Sequence, residues 1–242
     1  MPQLVLLVLL VVAVLLLLRT FGGDPTDTGS TDALEEGELD DPLLAVKRAH
    51  VRLSPDGTEA TLTGLTAGGR YAVDARASCP RGCAHPTPRC RCGFYAMRSD
   101  VESRRLPREA AWARRSEPLS VRLDVELSGV VLEYELGYRA ERQRVVEVGI
   151  PDRCVPCTQA GEDRQAAGLI ARPRQLASPF SGQGNPYPGD PSLRSWLELR
   201  SACLDHWVSE PGLPALSLGD LAALLDTEVR WEASGTAGPV GR

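Results

Sequence analysis

The longest clean alternation of apolar and polar positions is Val121-Arg-Leu-Asp-Val-Glu-Leu127, where every second residue is apolar. A period of two places Val121, Leu123, Val125 and Leu127 on one face of a strand and gives the other face to solvent. Ser128-Gly129 reads as a turn or bulge, residues 130–136 continue with Val130, Leu132, Tyr134 and Leu136 inward, and residues 144–150 supply a third strand. Upstream, Val51 and Leu53 lead into the turn tetrad Ser54-Pro-Asp-Gly57, and residues 58–63 return. Residues 70–77 repeat the alternation, with Tyr71, Val73 and Ala75 on one face. Two short helices are expected, one opening at Gly93 and running to about Leu106, the other from Pro107 to before Pro118. Leu193, Trp196, Leu197, Leu204, Trp207 and Val208 fit a helical stripe, with Trp196 to Leu199 equally readable as a strand. Ser217-x-x-Asp220 caps a helix whose face is Leu218, Leu221, Leu225 and Val229. The pattern predicts an α+β chain built of small antiparallel β-meanders with short helices.

At the N-terminus periodicity disappears. Residues 4–18 are an unbroken run of fifteen Leu, Val and Ala, ended by Arg19. The run is short for a bilayer span, but Arg19 can snorkel, and Thr20 and Phe21 can sit at the interface. A cleaved signal peptide would need a basic leading region and a small-x-small cleavage site, and neither is present. The expectation is an uncleaved transmembrane anchor in a single-pass protein of the cell membrane. Arg19 on the C-terminal flank favours a cytoplasmic main domain by the positive-inside rule. Residues 22–44 follow with eight Asp and Glu against no Lys or Arg, the signature of a solvated, disordered acidic linker.

Composition shifts once that linker is set aside. The whole chain of 242 residues has a net charge of −5, yet residues 45–242 hold 26 basic and 24 acidic side chains. Twelve aromatic residues leave the core to Leu, Val and Ala, so small metal-stapled units are expected. The expected organisation is an anchor at 1–21, the acidic linker at 22–44, and a first β-rich subdomain with a Cys/His cluster at 45–117. A second meander with a zinc-ribbon-like part and a helical C-terminus follows at 118–232, then a disordered tail at 233–242.

The candidate chemistry lies in the cysteines. Cys154-Val-Pro-Cys157 and Cys203-Leu-Asp-His206 are two close pairs, each able to present two ligands from one turn, and together they complete a tetrahedron for zinc. The 45 residues between the pairs exceed the spacing of a compact ribbon. The Pro/Gly/Asn-rich stretch at 178–191 accounts for the excess as an exposed loop. A second cluster, Cys79-x3-Cys83-x-His85-x4-Cys90-x-Cys92, offers five soft or borderline ligands in fourteen residues. Either Cys83 or His85 completes a site with Cys79, Cys90 and Cys92, and the four-cysteine version uses all seven cysteines across the two sites. One or two Zn2+ ions are therefore expected. Disulfides are the competing explanation, and they require an oxidising compartment.

Cys90-Arg-Cys92-Gly-Phe-Tyr-Ala96, followed by Gly137-Tyr-Arg-Ala140, resembles an uncharacterised family of bacterial proteins, mostly actinobacterial, that pair a Cys-x-Cys-Gly-aromatic motif with a Gly-Tyr/Trp-Arg-Ala motif. The resemblance covers about residues 70–150 and implies a similar fold and a role for His85 beside Cys90 and Cys92. It implies no activity. One lysine against 26 arginines is consistent with a GC-rich genome.

Closed zinc sites point to a fold and not to a reaction. Three histidines, two of them candidate ligands, leave little for nucleophilic catalysis, and neither a phosphate-binding loop nor a His-Glu-x-x-His motif occurs. The expected role is a membrane-anchored interaction or adaptor module with no catalytic residues, bound to the membrane through residues 4–18 and to a protein partner. Two alternatives stand beside it. Cys154 and Cys157 could form the dithiol of a membrane-tethered thiol-disulfide oxidoreductase. A nucleic-acid-binding zinc protein would draw on Arg98, Arg104, Arg105, Arg108, Arg114 and Arg115, although Asp100, Glu102, Glu109 and Glu117 interleave with them as on an ordinary solvated face.

Overall fold

The computed structural model describes residues 35–65, 70–79, 81–98, 119–173, 195–208 and 214–232. The apolar run at 4–18, the Arg-rich stretch from 99 to 118 with its second expected helix, the loop at 178–191 and the tail from 233 lie outside the described residues. Among the described residues no helix is long and apolar enough to cross a membrane.

The alternation at Val121 forms the centre of the molecule. It lies in β6 (Ser120–Tyr134), where Val121, Leu123, Val125 and Leu127 are each fully buried. β6 lies between β1 (Glu35–Leu53) and β7 (Gly137–Pro151), antiparallel to both. β5 (Phe94–Met97) pairs with β7 along its whole length and returns to β1 at Val46↔Met97, so the ladder β1-β6-β7-β5-β1 closes on itself. Ala49, Val51, Leu53, Ala140, Val148 and Ile150 join the four β6 residues in one apolar core. Antiparallel pairing dominates. The exception is β11 (Glu228–Glu232), which runs parallel to β7 along its edge.

The remaining strands extend this framework. β2 (Ala60–Gly64) forms a hairpin with β1 across the expected turn, where Ser54 Oγ and the Thr58 N–H and Oγ1 donate to Asp56. The expected strand at 70–77 is present as two short pieces, β3 (Arg70–Tyr71) and β4 (Asp74–Arg76), paired with β2 and β7 respectively. β8 (Gly168–Pro173), β9 (Leu197–Ala202) and β10 (Ala215–Leu216) form a second antiparallel patch, joined to the first where β9 meets β1 at Arg52 and Leu53. Among the described residues the helices are short: α1 (Val155–Gln159), α2 (Leu204–Val208) and α3 (Leu218–Leu225). Ser217 and Asp220 form the expected capping box on α3, with Leu221 and Leu225 buried beneath it.

Four expectations are corrected. β1 begins at Glu35, so residues 35–44 of the expected disordered linker are strand. They pair with β6 from Glu35↔Glu133 to Leu39↔Gly129 and, after a register shift, again from Leu43↔Leu127, a pairing that needs no apolar side chain. The segment after Gly93 is strand β5, not helix. Four residues carry no decisive periodicity, and the ladder to β7 overrides local preference. The boundary expected at 117/118 does not separate two sheets, because β1 and β5 pair with β6 and β7. Finally, Val229 lies in β11 rather than on the α3 face, since Asp226 takes a left-handed conformation (φ 52°) and stops the helix.

Candidate metal centres

The end of β7 and the end of β9 bring the two downstream pairs together. After Pro151 the chain passes through an isolated bridge at Arg153↔Gln165 to Cys154, which is the N-cap residue of α1, with Cys157 one turn on. The Cys154 N–H donates to Arg164 O at 3.0 Å, and the Glu162 N–H donates to Cys157 O at 2.7 Å, so residues 154–164 fold into a tight knuckle. β9 delivers Cys203, and the first turn of α2 follows, with the Trp207 N–H on Cys203 O at 2.8 Å. Trp207 lies flat against Gly168, where a Cβ would come within 1.9 Å of its ring, so only glycine permits this approach. An ion pair between Arg164 and Asp205 ties one knuckle to the other, and Ser201 Oγ donates to Arg153 O at 2.5 Å.

The four expected donors, Cys154, Cys157, Cys203 and His206, converge. Their ligand atoms all lie within 4.8 Å of one another. His206 Nδ1 is 3.3 Å from Cys154 Sγ, 3.4 Å from Cys157 Sγ and 3.2 Å from Cys203 Sγ, and the Cys157 and Cys203 sulfurs are 3.8 Å apart. A tetrahedral ion with Zn–S of about 2.3 Å and Zn–N of about 2.0–2.1 Å requires S···S edges of about 3.8 Å and S···N edges of about 3.6 Å. The group fits. Cys154, Cys157 and Cys203 form their own buried cluster, apart from the main core.

The upstream cluster gathers Cys79, Cys83, Cys90 and Cys92, again with all sulfurs within 4.8 Å and with Cys79 and Cys90 3.3 Å apart. Of the alternatives Cys83 and His85, it is Cys83 that joins the group. His85 is not among the four grouped donors, and its Nδ1 lies 3.1 Å from Pro86 O. This group is less enclosed than the downstream one, with only Cys90 fully buried. All seven cysteines are free thiols, so the disulfide explanation does not describe this structure.

Electrostatics within each cluster explain what a cation would do. Burial raises the Cys203 thiol, but contacts from the His206 N–H and ring and from the Cys157 and Cys154 sulfurs outweigh it and leave the pKa near about 6. Burial pushes Cys157 up to about 12, with Cys154 and Cys203 adding to the shift. Upstream, the Cys83 N–H brings Cys79 down to about 6. Its neighbours Cys79 and Cys90 hold Cys83 up at about 11, and burial holds Cys92 up at about 12. Cys203 and Cys79 ionise readily, whereas Cys157, Cys83 and Cys92 resist, through burial and contact with neighbouring sulfurs first and like charge last. A divalent cation removes that resistance by accepting all the thiolates at once.

The resemblance motifs also meet in space. Phe94, Tyr95 and Ala96 of the first pair in register with Ala140, Arg139 and Tyr138 of the second. Sequence reading missed Arg139 as part of the upstream site, although it is buried and donates to Cys90 O and Thr87 O. Its position within the Gly-Tyr-Arg-Ala motif was the available signal. The two cysteine groups can each hold a metal ion, as the chemistry and spacing of their donors require. No protein-family model, no curated protein and no solved structure matches this chain.

Proposed function

We propose that this protein is a membrane-anchored interaction module whose β-domain is held together by two structural zinc ions. The observation that carries the reading is the downstream group, in which three sulfurs and one imidazole nitrogen all lie within 4.8 Å of one another, with S···N separations of 3.2–3.4 Å slightly inside the edges of a zinc tetrahedron. Thiolate and imidazole donors select zinc over hard cations. Four protein ligands leave no open position for water or substrate, so the ion links the end of β7 to the end of β9 and performs no chemistry. The support for an interaction role is that the soft ligands are committed to structure. His206 belongs to the metal group, His50 is buried with Nδ1 3.4 Å from Leu119 O, and His85 faces its own loop.

The apolar run at 4–18 and its Arg19 flank support a single-pass anchor with the domain on the cytoplasmic side, a reducing space where thiolates stay available to metal. Reporter fusions at the C-terminus, with the charge moved by Arg19→Gln and Gln3→Arg, test that orientation. The wild-type domain should report from the cytoplasm and the exchanged variant should invert in part; a wild-type domain outside overturns the orientation.

The oxidoreductase alternative is disfavoured by burial. A dithiol catalyst presents its attacking sulfur to a partner disulfide, whereas Cys154 is fully buried and Cys157 is 2% exposed. Cys157→Ser separates the two readings. In a structural site it removes one metal equivalent and makes the two knuckles around Cys154 and Cys203 protease-sensitive, and chelation of the wild type does the same. A Cys157→Ser protein that keeps its metal and its protease resistance but loses disulfide exchange would establish the enzyme instead.

A further inference from the structure

Arg139 is 3% exposed, and its guanidinium meets carbonyls and rings but no acid. One terminal nitrogen donates to Cys90 O and to the Tyr95 hydroxyl at 3.2 Å, and the other donates to Thr87 O at 2.6 Å. The Tyr95 and Tyr134 rings lie 5.6 Å from its centre. Among the described residues no carboxylate lies within ion-pair distance, and its Nε has no hydrogen-bond partner. An interior cation normally requires a counter-charge, because carbonyl dipoles and ring faces only partly replace the water it has lost.

The Cys90 N–H also donates to Thr87 O, at 3.0 Å. Arg139 thus grips both ends of the turn that leads into Cys90 and Cys92. Gly93, the next residue, has φ +113°, and a Cβ there would come within 2.9 Å of Arg139 Cγ. The Cys-x-Cys-Gly turn is therefore shaped around this side chain. Without metal, the cluster offers the cation at most the single negative charge of one thiolate. A divalent ion bound by four thiolates carries two net negative charges beside it.

We propose that Arg139 is the positioning residue of the upstream four-cysteine site, supplying the buried positive charge that favours a dianionic metal-tetrathiolate centre over the metal-free cysteines. The inference rests on the metal reading of that cluster and goes beyond it. Arginine suits the role because its planar fork holds two carbonyls at once and its charge persists at every accessible pH. Residues that orient or neutralise metal ligands from outside the ligand set change metal affinity by about 10–100-fold when lost.

The test uses the full chain loaded with zinc. Release of metal to a chromophoric chelator is measured for wild type, Arg139→Met and Arg139→Lys, and urea stability is measured with and without metal. Cobalt(II) loading assigns each equivalent, because four-thiolate and three-thiolate-imidazole ligation give different d–d bands. Arg139→Met should weaken the four-thiolate equivalent by about 10–100-fold and leave the other unchanged. The same variant should leave the metal-stripped protein as stable as wild type or more so, a sign that a purely structural arginine would not give. Arg139→Lys restores charge without the fork and should recover most of the affinity. Two equivalents held at wild-type affinity in Arg139→Met, or equal destabilisation of loaded and stripped forms, would overturn the role of Arg139 while leaving the metal reading intact. A wild type that binds no four-thiolate equivalent would overturn both. Should Arg139→Met fail to fold, Arg139→Lys decides: a loss beyond about tenfold contradicts charge compensation.

Discussion

Lys47, the single lysine of the chain, offers the sharpest test of the electrostatics inside the sheet. It is 8% exposed, its Nζ donates to Gln143 Oε1 at 2.9 Å, and it lies 4.1 Å from the centre of the Tyr71 ring. Burial lowers its pKa from the ordinary 10.5 to about 7. At about 1.36 kcal/mol per pH unit, that difference corresponds to about 5 kcal/mol of stability lost when the folded protein must carry the charge. That figure is net of every interaction the charge makes, the Tyr71 face included. Lys47→Met removes the charge but orphans Gln143 Oε1 at a cost of about 1–2 kcal/mol. The variant should therefore be more stable than wild type by about 3–4 kcal/mol at pH 6. Between about pH 7 and 10.5 the unfolded wild type holds the proton and the folded one does not, so wild-type stability rises with pH and the advantage of the variant disappears. Urea titrations from pH 6 to 10 measure the difference. Labelling with 13Cε-lysine gives one side-chain signal whose titration reads the pKa directly. A midpoint near 10.5, or a stability difference independent of pH, would refute the reasoning.

Burial also lowers His50 to about 4, with Leu119 O partly opposing and Arg52 adding to the shift. The unfolded chain takes up a proton between pH 6.5 and 4 and the folded one does not, so stability falls as pH drops through that window. His50→Phe should flatten the difference by about 3 kcal/mol in acid denaturation curves. Gly168→Ala should displace Trp207 and with it the turn that carries His206, costing about 1–3 kcal/mol. It should weaken the downstream metal equivalent alone, as chelator competition would register. Gly137→Ala, whose Cβ would come within 2.2 Å of Ala96 O, should loosen the β5–β7 pairing and expose the amides of Phe94 and Ala96, which share the side of β5 that Arg98 N–H uses to reach Leu136 O, to faster hydrogen exchange.

What was legible in the sequence had a short physical range. The alternation at Val121 gave the central strand because one face of β6 is buried against core and the period of two leaves no other reading. Cys154-x2-Cys157 and Cys203-x2-His206 were legible because each turn presents two ligands by itself. The α3 cap was legible for the same reason, since Ser217 and Asp220 bond each other across three residues. Harder features depend on partners far along the chain. The first residues of β1 read as a solvated leash because nothing in Glu35, Glu36, Glu38, Asp40 and Asp41 announces a ladder to partners as distant as Glu133. β5 is too short to show a period, and its identity as strand comes from β7. Arg139 looked like one arginine among 26 until the fold brought it to a carbonyl 49 residues earlier. The parallel docking of β11 on β7 follows from a left-handed Asp226, a conformation that the sequence permits but does not demand.

The central claim is that both cysteine groups are metal centres, and the most direct measurement is the metal content of the purified full chain together with its reactive thiols. The account predicts two zinc ions per chain, with the seven cysteines unreactive toward a thiol reagent under native conditions and all seven reactive after chelation and denaturation. A folded, metal-free protein whose thiols react without chelator, or whose cysteines prove to be joined in disulfides, would contradict it.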